Sequence, residues 1–208
     1  MSAFIDLPLL ATTFFTLFVI MDPPGTVPIF LALTSTNTAR ERKRAALQAT
    51  VVALGVITVF TVLGPYILGF LGISVPALQL SGGLLLLLVA MELLTGKAEE
   101  PEPAGGGRVN VAFVPLGTPL LAGPGAIVAA MLAVEEADGP PGWLAIALAV
   151  IAVHVCLWLA MRFSNIIHRV LGDGGTTLVT RLAGLLLAAI AVQLMADAVF
   201  VFIDEYNA

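Results

Sequence analysis

Two short segments of this 208-residue chain combine helix-breaking residues with residues suited to binding charge. The first is Asp22-Pro23-Pro24-Gly25-Thr26 and the second is Ala122-Gly123-Pro124-Gly125-Ala126. Proline removes a backbone donor, clashes with the preceding turn and disfavours α geometry in the residue before it, while glycine adds backbone freedom. Each segment is therefore expected to interrupt a helix rather than merely bend it. A helix that restarts after an interruption presents N–H groups without intrahelical partners and the positive end of its dipole, a pole that suits a carboxylate. The helix that stops before the interruption presents unpaired carbonyls, which suit an ammonium group or a cation. Two facing breaks supply both poles, and a zwitterion matches the pair. The carboxylate of such a ligand would meet N–H groups around Gly25 and Thr26 or around Gly125 and Ala126. Asp22 has two readings that can both hold: an anion for a substrate ammonium or a coupling proton, and the N-cap of the restarting helix, since Asp before Pro at the first helical position is a favoured start.

Two more ionisable residues are candidates for moving a proton. His154 lies in the middle of an apolar run, and imidazole titrates near neutrality; a neutral histidine hydrogen-bonded across helices is the preferred reading. Glu92 lies near the end of another run, where it can reach the interface. Asp197 reads as a solvated helix end, Arg40 to Arg44 as a topology determinant, and the lone Cys156 as a small packing residue that can form no internal disulfide.

The elements that must hold these residues follow from composition. Hydrophobic residues make up 59% of the chain and charged residues 11%, against about 25% charged in soluble domains. That balance excludes an ordinary cytosolic enzyme and a disordered chain, and a net charge of −5 excludes a nucleic-acid-wrapping surface. An all-α polytopic membrane protein remains. A spanning helix needs roughly 17–25 apolar residues, and six runs qualify: Leu7 to Leu33, Leu47 to Leu71, Val75 to Leu94, Val111 to Val134, Trp143 to Phe163 and Leu182 to Val201. Met1 to Pro8 carry Asp6 and no Lys or Arg, so the first run is expected to stay as a membrane helix rather than to be removed as a signal peptide. The Gly/Pro-rich residues 97–110 read as a cytoplasmic linker between a first unit, 1–96, and a second, 111–208, of one membrane domain.

Charge orients the chain. With six spans, every Lys and Arg falls on one side, in the connections after runs one, three and five, while Asp6, Glu135, Glu136, Asp138, Asp204 and Glu205 fall on the other. By the positive-inside rule both termini lie outside a cell or inner membrane.

The chain also echoes itself. The two break segments are 100 positions apart, and Ser81-Gly82-Gly83-Leu84-Leu85-Leu86 resembles Leu182-Ala183-Gly184-Leu185-Leu186-Leu187 at 101, with Glu92-Leu93 matching Gln193-Leu194. A repeat of three spans enters the membrane the second time from the opposite side. Six helices as two inverted-topology repeats, with helices 1 and 4 broken near the midplane, is an architecture of secondary transporters. The small residues at 81–83 and 183–184 suit close helix packing.

Met21-Asp22-Pro23-Pro24-Gly25-Thr26-Val27-Pro28-Ile29-Phe30 and Pro119-Leu120-Leu121-Ala122-Gly123-Pro124-Gly125-Ala126-Ile127 resemble the two motifs of the MarC/SnatA family, and the similarity spans nearly the whole chain. The resemblance implies a transporter of small neutral amino acids, glycine and alanine in its best-understood members, driven by a proton gradient, with sodium the second choice of coupling ion. An intramembrane enzyme and a channel or structural subunit are the alternatives. The chain carries no GxSxG elbow, no HExxH and no Walker A motif, and Gly172-Asp173-Gly174-Gly175 reads as a plain turn. Neither a cofactor nor a metal is expected, and His168 falls in the charged inner connection. The orientation is testable: a cysteine at Glu136 is expected to react with an impermeant thiol reagent from outside and one at Arg42 only from inside, and the reverse pattern inverts the topology.

Overall fold

The computed structural model describes residues 5–34, 37–95 and 121–207, and the regular structure there is helical. Its elements are α1 (Leu7–Met21), α2 (Pro23–Leu33), α3 (Ala39–Leu71), α4 (Val75–Thr95), α5 (Pro124–Glu135), α6 (Gly139–Arg162) and α7 (Ser164–Asn207). Among the described residues five stretches are long and apolar enough to cross a membrane: Leu7–Leu31, Ala39–Leu71, Val75–Thr95, Gly139–Arg162 and Gly174–Asp204. Of the expected fourth run only the latter part, the 12-residue α5, falls within the description. The earlier part of that run, with Pro115 and Pro119, and the linker 97–110 lie outside the described residues.

The helices start where side chains satisfy their first N–H groups. Asp6 caps α1, its Oδ1 accepting from the Leu9 N–H at 3.0 Å. Thr38 and Glu41 form a capping box that starts α3 at Ala39, eight residues before the apolar run begins at Leu47. Arg40 to Arg44 therefore sit on the first turns of a helix. α6 begins at Gly139 with prolines in its first turn, where a missing N–H costs nothing. At the other end of the chain the structure corrects the sequence reading. Residues 164–181 are two helical stretches that meet at a kink at Gly172 rather than one loop, so His168 lies on a helix and the turn expected at Gly172–Gly175 is reduced to that kink. The only non-helical backbone there is Gly172, at φ 64° and ψ −179°. Hydropathy marks only the part of a helix that meets lipid, so these polar extensions escape it.

Two apolar clusters hold the bundle. The larger joins α1, α2, α3, α5 and α6 through buried Leu17, Phe30, Ile57, Ala130, Ile146 and Leu157. The smaller lies between α4 and α7 and consists of Leu86, Ala90, Leu187 and Ala191. These four are two pairs spaced by 101 positions, the register of the sequence echo. The glycines follow the same rule. A Cβ on Gly83 would lie 2.8 Å from the Ala191 carbonyl oxygen, and one on Gly184 would lie 3.2 Å from that of Ala90. Each helix thus presents its glycine to the same position of the other, and the two backbones approach closely because neither carries a side chain there. The short helices pack reciprocally as well: α2 packs against α6 and α7, while α5 packs against α3 and α4.

Large exposed apolar side chains such as Phe70, Leu84, Leu88, Leu185 and Phe200 cover the outer faces, as expected where the surrounding medium is hydrocarbon. The α4–α7 seam is testable. Gly83→Val is expected to drive the helices apart and to destabilise by about 1–3 kcal/mol, the usual cost of overpacking, read as a lower melting temperature in detergent. Gly55→Ala, in α3 where an added Cβ meets nothing within 4 Å, is expected to leave that temperature unchanged or raise it.

Candidate functional site

Asp22 is the pivot of the first break. It has φ 39° and ψ 69°, and no other non-glycine residue described has a positive φ. Pro23 disfavours right-handed helical backbone at the residue before it, and Asp is one of the few residues that enter the left-handed region at modest cost. One residue then serves both helices. The Asp22 N–H donates to the Phe18 carbonyl at 3.1 Å and closes α1. Its own carbonyl accepts from the Thr26 N–H at 3.0 Å and from Thr26 Oγ1 at 2.9 Å, and its Oδ1 accepts from the Gly25 N–H at 3.1 Å. Pro23 and Pro24 have no N–H to satisfy.

Both sequence readings of Asp22 now separate by atom. Oδ1 is the cap. Oδ2 has no hydrogen-bond partner, although the residue is only 7% exposed. The N–H groups expected to be free at Gly25 and Thr26 are not free, because Asp22 has taken both. A ligand carboxylate finds no donor at this break.

The second segment, at the start of α5, is built differently, and the chain before Leu121 lies outside the described residues. Gly123 precedes α5 with extended backbone, φ −63° and ψ 160°, and makes no side-chain cap because it has no side chain. Pro124 has no N–H. The Ala126 and Ile127 N–H groups turn back to the Gly123 carbonyl at 3.0 and 3.1 Å. The Gly125 N–H is the remaining donor of that turn, at the positive end of the α5 dipole. The two breaks are therefore of opposite kinds: one closed on itself around an anion, the other an uncapped helix N-terminus.

The two breaks line one cavity of about 150 Å³. Asp22, Gly25 and Thr26 come from the first break and Gly123, Gly125 and Ala126 from the second, with Leu86 and Glu92 of α4 completing the wall. An apolar void of that order takes a benzene-sized guest, so the space suits a small molecule. Glu92 is exposed and stands at the rim. The glycines set the width: a Cβ on Gly25 would run into the Asp22 carboxylate, and one on Gly125 into the Leu86 side chain. Pro23 and Ala122 are buried behind the lining and shape the turns without entering the cavity wall; the side chain of Pro124 lies outside the described residues.

His154 is not brought to this cavity. It is buried on α6, its Nδ1 donates to the Val150 carbonyl at 2.8 Å, and its Nε2 is without a partner. That bond lies within α6, whereas the sequence reading preferred one across helices. The sequence reading missed Thr180. It is buried on α7, and its Oγ1 lies 2.8 Å from where a Gly25 Cβ would stand, beside the Asp22 carboxylate. Among the described residues no group of three or more His, Cys, Asp and Glu side chains is placed to hold a metal ion.

Comparison with known proteins gives the chain its relatives. A UPF0056 membrane protein of Methanocaldococcus jannaschii is 34% identical over 199 residues, covering 93% of this chain and 97% of the relative. The UPF0056 inner membrane protein MarC of Citrobacter koseri is 32% identical, covering 89% of this chain and 91% of its own. The UPF0056 membrane protein YhcE of Escherichia coli is 30% identical, covering 92% of each. No solved structure matches the chain. The description of the MarC family of integral membrane proteins matches residues 7–203, from the start of α1 almost to the end of α7. That match, together with these relatives, shows that the chain belongs to the MarC family of integral membrane proteins.

Proposed function

We propose that this chain is a secondary transporter of small neutral amino acids, of the size of glycine or alanine, coupled to a proton or, as second choice, to sodium. One observation carries the proposal. An unpartnered, buried carboxylate oxygen and an uncapped helix N-terminus line the same cavity of about 150 Å³. The substrate ammonium would pair with Asp22 Oδ2 and with the carbonyl end of α1, and the substrate carboxylate would take the Gly125 N–H at the start of α5. Apart from Glu92 at the rim, the remaining wall, with Ile20, Leu86 and Val89, offers an apolar surface.

The same proposal takes the chain as six spans in two inverted three-helix repeats, 1–96 and 111–208, with both termini outside. The spacing of 101 within the α4–α7 seam and the reciprocal packing of α2 and α5 support it. Alternating access would be movement of one repeat against the other about the two breaks. Asp22 is the first candidate to carry the coupling proton, with Glu92 at the cavity rim the next; His154, remote from the cavity, is the weakest of the three.

The decisive experiment is uptake of a labelled amino-acid panel into proteoliposomes, with and without a pH gradient. Glycine and alanine are expected to accumulate when the gradient is applied, and failure of the whole panel rejects the proposal. Asp22→Asn separates the roles of the two oxygens. Asn keeps an acceptor for the Gly25 N–H and tolerates the left-handed backbone, but it carries no charge. Uptake is expected to fall at least about thirtyfold, the lower end of what truncating one partner of a buried charge pair costs, and its pH dependence to flatten, while the melting temperature stays within a few degrees. Normal uptake with an unchanged pH profile would reduce Asp22 to a cap. Gly125→Val, which places methyl groups where the ligand carboxylate would sit, is expected to abolish uptake while leaving membrane insertion intact; Gly125→Ala is expected to weaken alanine more than glycine.

A further inference from the structure

A second cavity, of about 220 Å³, lies towards the end of the bundle where α1 begins and α5 ends. Thr12, Thr13 and Thr16 of α1 form one wall, Ala133 and Glu136 a second, and Gln193 of α7 a third. The central cavity does not share these residues, and nothing in the transport chemistry described so far uses them.

Thr13 separates this cavity from an ordinary crevice. A buried threonine in an apolar helix usually donates its hydroxyl to the carbonyl one turn back. Thr26, Thr34, Thr50, Thr61 and Thr176 all do so, at 2.6–2.9 Å. Thr13 is 4% exposed, and its Oγ1 has no hydrogen-bond partner. A buried polar atom left unpaired is costly, and a bound molecule that pairs it removes the cost.

The neighbouring groups define what that molecule is. Glu136 sits at the C-terminal cap of α5, at the negative end of the helix dipole. Gln193 Nε2 donates to Asp197 Oδ1 at 2.7 Å, which leaves the side-chain oxygen of Gln193 free to accept. A carboxylate, an amide oxygen, three hydroxyls and a helix C-terminus make an acceptor-rich set, and a primary ammonium, with three donors and one charge, is its natural complement.

The two cavities also correspond in sequence. Ile190, Gln193 and Leu194 of the second stand 101 positions after Val89, Glu92 and Leu93 of the first. That is the register of the α4–α7 seam, so Gln193 occupies in one half the place that Glu92 occupies in the other. The two cavities thus draw on equivalent registers of α4 and α7.

We propose that the second cavity is a separate vestibular site, at the outer end, where Thr13, Gln193 and Glu136 hold the ammonium group of a small amine-bearing substrate. It rests on the transport proposal for the direction of the path, and it adds a binding site that the central pair of breaks does not supply.

The test uses the full chain in proteoliposomes, with Cys156→Ser and Thr16→Cys, labelled by an impermeant methanethiosulfonate. The probes are alanine, ethylammonium chloride, sodium propionate and sodium chloride, each with and without Asp22→Asn. Alanine and ethylammonium are expected to slow labelling at least fivefold, in the presence of Asp22→Asn as in its absence, and propionate and sodium chloride are not. Thr13→Val, which removes an unpaired hydroxyl and so does not harm the fold, is expected to raise the half-protecting concentration about tenfold, the loss of one charge-assisted hydrogen bond. Protection that disappears with Asp22→Asn overturns the proposal, because the label then reports only the central site. So does equal protection by propionate or by sodium chloride, or protection that Thr13→Val leaves unchanged. Ethylammonium protection does not depend on amino-acid uptake, so a chain that transports no amino acid yet is protected by ethylammonium rejects the transport proposal and keeps this one.

Discussion

A helix interrupted inside a hydrocarbon layer has no water to satisfy its loose ends, and the first half of this protein is organised by the way Asp22 meets that constraint. Each unsatisfied backbone group there would cost several kcal/mol. Asp22 supplies a donor to α1, a main-chain acceptor to Thr26 and a side-chain acceptor to Gly25. The two prolines that follow contribute no N–H groups and so reduce what must be satisfied. The consequence is economical in atoms: three of the four polar groups of Asp22 complete the backbone, and the fourth, Oδ2, is left over beside a cavity.

The second break meets the same constraint with different residues, and the difference gives the cavity its polarity. Gly123 has no side chain to cap α5, so the Gly125 N–H stays at the positive pole of that helix. One segment leaves an unpaired carboxylate oxygen beside the cavity, and the other begins a helix that has no side-chain cap. Had both carried an aspartate, the cavity would hold two negative poles and favour a cation; had both carried glycine, it would favour an anion. The asymmetry between the paired segments, more than their similarity, is what the proposal of a zwitterionic guest rests on.

Much of this was legible in the sequence. Asp-Pro-Pro-Gly within an apolar run marks an interruption through the covalent limits of proline alone, and among the described residues the helix ends fall within a few residues of the hydropathy runs except where α3 and α7 extend into polar sequence and where the start of the fourth run lies outside the description. The assignment of donors was not legible. Composition suggests free N–H groups at Gly25 and Thr26, but whether they are free depends on the rotamer of Asp22 and on its left-handed backbone, which only coordinates provide. Thr180 escaped for a different reason: it is 155 positions from Gly25 in the chain, and a lone hydroxyl on a packed helix carries no local signal. His154 is only a secondary proton candidate in the sequence, ionisable and central, and the fold leaves it out of the lining of the cavity beside Asp22.

The placement of the two short helices bears on how such a molecule could move. α2 belongs by sequence to the first half but packs against α6 and α7 of the second, and α5 belongs to the second but packs against α3 and α4 of the first. Each break is therefore a strap between halves. A relative displacement of the halves must be taken up where the backbone departs from helical dihedral angles, and Asp22 and Gly123 are such places. Displacement there alters the spacing between the carboxylate of one strap and the helix N-terminus of the other, which are the two poles of the cavity. A ligand bridging both poles would thus favour one spacing over the other, and differential affinity of that kind is the only means by which a ligand can bias a conformational equilibrium. The same atoms that close the backbone inside the membrane would in this way couple occupancy to movement, and the coupling needs no element beyond the two breaks themselves.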